Sequence, residues 1–159
     1  MPLKLTLQEI ADVCQGKIFG DRSLSVDGVS IDTRTLQKGE LFVPLIAERD
    51  GHEYVREAFQ IGAKAHLFSH GSANGNGIHV EDTLKAFQDL AKYARTKIRG
   101  EVIGITGSVG KTTTKDILFA CLSEHYPTVV SKFSHNNEIG VPLTILSIDD
   151  STEHVVLEM

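Results

Sequence analysis

An α/β fold in two parts is the prediction, a small mixed α/β unit followed by the start of a parallel-sheet unit, and three observations carry it. From residue 101 onward the apolar, strand-like runs EVIGI, PTVVS and EHVVLE alternate with helical segments, the pattern of parallel strands covered by helices. Before residue 82 the strand-like and helical stretches are shorter and less regular. Between them lies one amphipathic stretch, Asp82 to Ile98, whose Leu84, Phe87, Leu90, Ala91, Ala94 and Ile98 recur at helical spacing. The expected division is residues 1–81, a connecting helix over 82–100, and residues 101–159 as the first part of a second domain.

The elements follow in order. TLQE at 6–9 is a capping box, with Thr6 accepting from the backbone three residues on and Glu9 reaching back. Ile10, Ala11, Val13 and Cys14 share the face of the helix that follows, and Gly16 is its expected stop. SLSVDGVSID (23–32) and ELFVPLI (40–46) read as strands separated by a turn at Lys38 and Gly39. A helix capped by Asp50 places Val55, Ala58 and Phe59 on one face and ends at Gly62. KAHLFS is a short strand and HGSANGNG (70–77) a polar, glycine-rich loop. After EVIGI a helix is expected from Lys111 to His125, then PTVVS, a polar stretch, a helical EIGVPLTILS and the strand EHVVLE.

With 159 residues, 41% hydrophobic and 23% charged, the chain has the composition of a soluble globular protein. A net charge of -5 without a Lys/Arg block argues against nucleic acid as a partner. No apolar run is long enough for a membrane span, and the N-terminus lacks the apolar core of a signal peptide. Cys14 and Cys121 are read as free thiols, small buried hydrophobes on helices, so the expected location is the cytoplasm. The chain stops inside the strand-like run HVVLEM, and the expectation is that it belongs to something longer.

GITGSVGKTTTKD (104–116) carries the chemistry. Glycines at 107 and 110 let the backbone approach an anion, and the N–H groups of the loop and of the following helix's first turn point at it. The cofactor-binding candidates are Gly107, Ser108, Val109, Gly110, Lys111, Thr112 and Thr113, with Lys111 also the catalytic candidate because it supplies charge to the β and γ phosphates of a nucleotide. The strict Walker spacing is not met, since its first glycine would fall on Ile105, but a strand precedes the loop and a helix follows it. This reads as the start of a P-loop-type ATPase domain. Thr112 and Glu158, the latter at the carboxyl end of a predicted parallel strand, are the candidate ligands for Mg2+. The competing reading of Glu158 is a surface residue opening a loop.

Four stretches together resemble the Mur ligases: VSIDTRTLQKGELFVPL followed by DGHEYVREAFQIGA, then GITGSVGKTTTKD, HNNEIGVPLTIL and VVLEM. The resemblance spans nearly the whole chain. It implies an N-terminal domain that binds a UDP-linked substrate, and an ATP-dependent amide ligase of peptidoglycan synthesis that joins D-Ala-D-Ala to UDP-MurNAc-tripeptide through an acyl phosphate, acting as a monomer. On that implication Ser30, Asp32, Thr33 and Arg34 lie near the uridine diphosphate, and Asn136 and Asn137 face the muramoyl-peptide or the phosphates. Arg34 reads equally well as a surface ion pair with a neighbouring acid, and one of the two asparagines as a helix N-cap. Asp50 reads as a cap, which leaves His52 without a catalytic assignment, and the remaining histidines show no metal-ligand spacing. Phe133 and Ser134 stand where many relatives carry Gly-Asn, and in the family further active-site residues follow the acidic strand. The chain alone is therefore expected not to ligate. The rival readings are the sibling ligase that adds the third amino acid and a non-catalytic module that binds nucleotide or UDP-sugar.

Overall fold

Thr6 and Glu9 open the first helix as their spacing predicts. The Thr6 hydroxyl accepts from the Glu9 N–H at 3.2 Å, and the Glu9 carboxylate accepts from the Thr6 N–H at 2.9 Å, so two donors without helical partners are satisfied reciprocally. Helix α1 (Leu7–Cys14) buries Leu7, Ile10 and Ala11. It ends with Gln15, not Gly16, in the left-handed region (φ 54°). Gly16 is needed for a different reason: a Cβ there would sit 2.5 Å from Ile78 Cγ2 and 2.9 Å from the His79 carbonyl oxygen.

The computed structural model describes residues 4–131 and 137–159 and divides into two units, Lys4–Leu90 and Ala91–Met159. In the first unit the strands are β1 (Leu5–Thr6), β2 (Lys17–Phe19), β3 (Ser25–Val26), β4 (Val29–Ser30), β5 (Leu41–Phe42), β6 (Ala65–Phe68) and β7 (Gly77–His79). Five of them form a sheet ordered β2-β7-β6-β5-β4, parallel except at the β2–β7 edge, while β1 pairs antiparallel with β3. The single strand expected over 23–32 is thus two short ones serving different sheets. ELFVPLI contributes only Leu41–Phe42, because Pro44 has no N–H to continue a ladder. The helix expected from Asp50 begins as a 3-10 turn (Gly51–Tyr54) and becomes α2 (Val55–Ile61).

Leu36, Phe42, Val55, Ala58 and Ala63 form a buried cluster against which Tyr54 and Phe59 pack. On β6, His66 is 1% exposed, stacks on Phe68 and meets the edge of Phe59. Its Nδ1 lies 2.9 Å from the Leu67 carbonyl oxygen, which makes Nδ1 the protonated nitrogen. Nε2 has no hydrogen-bond partner among the described residues, and a Cβ on Gly77 would approach it to 2.9 Å. Burial pushes the His66 pKa below its usual 6.5. The unfolded chain therefore binds the proton more readily, so stability is complete above about pH 6.5 and falls as pH drops through the lowered folded value. Urea midpoints measured between pH 7 and 5 should decrease, and a His66→Leu variant should lose most of that slope. An identical slope in the variant would refute the assignment.

In the second unit, α3 (Thr83–Lys97) begins within the preceding unit and is followed by β8 (Glu101–Ile105), α4 (Lys111–Ser123), β9 (Thr128–Val130), α5 (Gly140–Leu146) and β10 (His154–Glu158). The sheet order is β8-β10-β9 and all pairings are parallel, as the alternation of apolar runs with helices predicts. Val155, Val156 and Leu157 of the central strand are buried, with Ile145 and Leu146 of α5. Cys14 is half-buried, its thiol pushed up to about 12 by burial, but Cys121 is exposed on α4, contrary to its reading as a buried hydrophobe. Among the described residues no helix is long and apolar enough to cross a membrane.

Candidate functional site

Strand β8 ends at Ile105, and residues 106–110 lead directly into α4. Gly110 takes φ +79° in the N-cap position, a conformation that a side chain would strain, and a Cβ there would have nothing within 4 Å. Gly107 has φ +156°, and a Cβ there would meet only the Val109 carbonyl oxygen at 3.8 Å and Lys111 Cγ at 4.0 Å. Ser108, Val109 and Thr113 are exposed, Val109 at 91%. The Gly110 carbonyl accepts the Thr114 N–H at 2.9 Å and so starts the helix.

Register then brings Glu158 to this loop. Because β10 pairs residue for residue with β8, Glu158 lies opposite Ile105, the last residue before the loop. The Thr112 hydroxyl donates to Glu158 Oε2 at 2.9 Å, and Lys111 Nζ donates to the Met159 carbonyl oxygen at 3.1 Å. Glu158 is 3% exposed, which separates it from a loop-opening surface glutamate. Lys111, Thr112 and Glu158 thus share the carboxyl end of one parallel sheet, where ligands of such sheets collect. An open glycine backbone at a helix N-terminus, a cation and two hard oxygen donors are the chemistry that a nucleotide triphosphate with Mg2+ requires.

Two polar residues near this site were not legible beforehand. Lys115, one turn further along α4, is 3% exposed and donates to the Ser131 carbonyl oxygen at 3.2 Å. Ser131 in turn accepts the Glu158 N–H on its hydroxyl at 3.1 Å. Asn136 lies outside the described residues. Asn137 accepts the N–H groups of Gly140 at 2.8 Å and Ile139 at 3.3 Å, the capping role expected of one asparagine of the pair.

The second group of candidates lies in the other unit. Ser30, at the end of β4, is buried, and its hydroxyl donates to the Asp32 carbonyl oxygen at 3.0 Å. Asp32 accepts the Arg34 N–H and Nε, both at 2.9 Å, and pairs with Nη2. The Arg34 guanidinium holds the Asp32 carboxyl below its usual range. The surface ion pair set against the diphosphate reading of Arg34 is therefore formed, with the Arg34 side chain 86% exposed, while Thr33 beside it is half-buried.

Asp50 caps its 3-10 turn as expected, accepting the His52 N–H at 3.0 Å, and it also gathers two histidines. His52 Nδ1 lies 2.6 Å from Asp50 Oδ1 and His70 Nε2 lies 2.8 Å from Oδ2, with the three donor atoms within 4.8 Å of one another. The Ser69 N–H donates to His52 Nε2 at 3.1 Å. Nδ1 must then carry the proton, so both nitrogens of His52 are committed. A cation on Nδ1 would turn an Nε2–H against the Ser69 N–H. The trio is a hydrogen-bonded clasp between the 3-10 turn and the end of β6.

Residues 105–159 match the family model described as the Mur ligase middle domain. The chain is 41% identical, over 99% of its own length, to the UDP-N-acetylmuramoyl-tripeptide–D-alanyl-D-alanine ligase of Bacillus subtilis, and it covers 36% of that protein. A crystal structure of MurF from Acinetobacter baumannii superimposes on 99% of the chain with a TM-score of 0.89 at 28% identity, the chain covering 36% of it. A MurF ligase from Thermotoga maritima, solved in complex with ADP, covers 83% of the chain with a TM-score of 0.72 at 32% identity, and the chain covers 31% of it. The chain thus spans about a third of the length of the relatives it matches.

Proposed function

We propose that the chain belongs to the Mur ligase family, whose middle-domain model matches residues 105–159, and that the protein is an ATP-dependent amide ligase joining D-Ala-D-Ala to UDP-MurNAc-tripeptide in peptidoglycan precursor synthesis. The observation that carries the reading is the Thr112–Glu158 contact beside an open glycine loop, in a chain 41% identical to a ligase of that name. Residues 1–81 are proposed as the UDP-substrate domain, 82–100 as a connecting helix and 101–159 as part of the ATP-binding domain. The compartment that suits a UDP-linked substrate and ATP is the cytoplasm.

The roles of the residues follow from their chemistry. Backbone N–H groups of Gly107 to Gly110 and the first turn of α4, including Thr113, would cradle phosphate oxygens. Lys111 would place its ammonium on the phosphoryl group being transferred and offset the charge that develops there. Thr112 and Glu158 would hold Mg2+ through their oxygens. ATP supplies the phosphoryl group that turns a carboxylate into an acyl phosphate, open to attack by an amine. Ser30, Asp32, Thr33 and Arg34 are proposed at the uridine diphosphate, where Arg34 would exchange part of its fork from Asp32 to a phosphate. Asn136 and Asn137 are proposed to face the peptide end of the substrate.

The test is phosphate release by the intact protein. Release should require UDP-MurNAc-tripeptide and D-Ala-D-Ala together. Release with a single amino acid and a dipeptide-linked UDP-MurNAc would instead identify the sibling reaction, and nucleotide binding without release would identify a non-catalytic module.

A further inference from the structure

The fully buried residue of α4 is an ammonium, Lys115. On α4, Thr112, Thr113, Thr114, Asp116 and Ile117 are exposed, whereas Lys115 is 3% exposed. Burying a charge is costly unless it is well paired. Asp116 Oδ1 lies 3.4 Å from the Lys115 ammonium, on a side chain that is 67% exposed. The ammonium also donates to a neutral acceptor, the carbonyl oxygen of Ser131, at 3.2 Å. A methionine would fill the same space without the desolvation cost, so stability alone does not explain the residue.

Ser131 is where that contact acts. It is 1% exposed and is held at three points: its N–H donates to the Val156 carbonyl oxygen at 2.9 Å, its own carbonyl accepts from Lys115, and its hydroxyl accepts the Glu158 N–H at 3.1 Å. Glu158 then accepts from Thr112 on Oε2. The four residues close a ring: Thr112 and Lys115 lie one turn apart on α4, Glu158 ends β10, and Ser131 follows β9.

We propose that Lys115 is a positioning residue of the phosphate site: through the Ser131 hydroxyl it fixes the Glu158 backbone and so holds the carboxylate that faces Thr112. This rests on the reading of residues 106–112 as an ATP site with Mg2+ at Thr112 and Glu158. Outer-shell partners of metal-binding carboxylates do this work elsewhere, and losing one costs about ten- to a hundredfold in metal affinity.

The experiment is calorimetric titration of ATP into the intact protein, with and without Mg2+, for the wild type, Lys115→Met, Ser131→Ala and the double variant, with thermal midpoints recorded alongside. The ratio of Mg2+-free to Mg2+-bound dissociation constants should fall about tenfold or more in Lys115→Met, while the Mg2+-free affinity stays unchanged. Ser131→Ala should move the ratio the same way, and the double variant should add little to the stronger single, as expected within one network. An unchanged ratio in Lys115→Met, or an equal loss with and without Mg2+, would overturn the proposal and leave the ATP reading standing. If Lys115→Met does not fold, an unchanged ratio in Ser131→Ala overturns it equally. A wild type that binds no ATP removes the premise and the proposal with it.

Discussion

Replacing Lys111 with alanine is expected to weaken Mg-ATP binding on the order of 10- to 100-fold, the equivalent of one or more hydrogen bonds to a charged group. Lys111 is the first residue of α4, and its Nζ reaches the Met159 carbonyl oxygen at 3.1 Å. A triphosphate competes well for that ammonium, because a doubly charged terminal phosphate outbids a neutral carbonyl. Truncation leaves the core untouched, since Lys111 is only half-buried and lies outside the buried core. The urea midpoint should therefore stay within the scatter of surface substitutions. Calorimetry on the two proteins decides: equal affinities would mean that the loop is not a phosphate site, whatever the family.

The second large effect is on stability. Phe42 is 1% exposed on β5 and touches the cluster of Leu36, Val55, Ala58 and Ala63 from the sheet side. Phe42→Ala should cost about 3–5 kcal/mol through lost burial and the cavity left behind. Against a total of about 5–15 kcal/mol for a domain, that is a large fraction. The urea midpoint should fall by about 1 M or more. Phe42→Leu should cost far less because it keeps most of the volume. A fall in Phe42→Ala no larger than in Phe42→Leu would show that the cluster collapses to fill the space.

What could be read from the sequence was local. Thr6 and Glu9 are three residues apart and both reciprocal bonds form, because a capping box is a property of one turn. Gly110, Lys111 and Thr112 are neighbours, and the strand before and the helix after them make the loop legible. Glu158 was found at a distance only because parallel-sheet ligands gather at carboxyl ends. The strands β1, β2 and β7 were missed, since two or three residues are too few to show an alternation. Lys115 was missed because a lysine in a threonine-rich helix start reads as solvated, and its partner Ser131 lies sixteen residues away. The clasp of Asp50, His52 and His70 escaped for the same reason: nothing in DGH announces that a histidine from a glycine-rich loop returns to it.

The strand order β8-β10-β9 has a consequence for how the protein is made. Every strand of the sheet in Lys4–Leu90 has left the ribosome by the time His79 does, so that unit is free to close early. In the other unit, among the described residues, β8 and β9 pair only with β10, which emerges last to lie between them. At about 5–20 residues per second, β8 waits on the order of 3–10 s for its partner. During that interval its apolar ladder edge and the glycine loop, still without Glu158, are open to whatever the nascent chain meets. Holdase chaperones should therefore crosslink to β8 on stalled chains that end before residue 154, and not on the released protein in which β10 has paired.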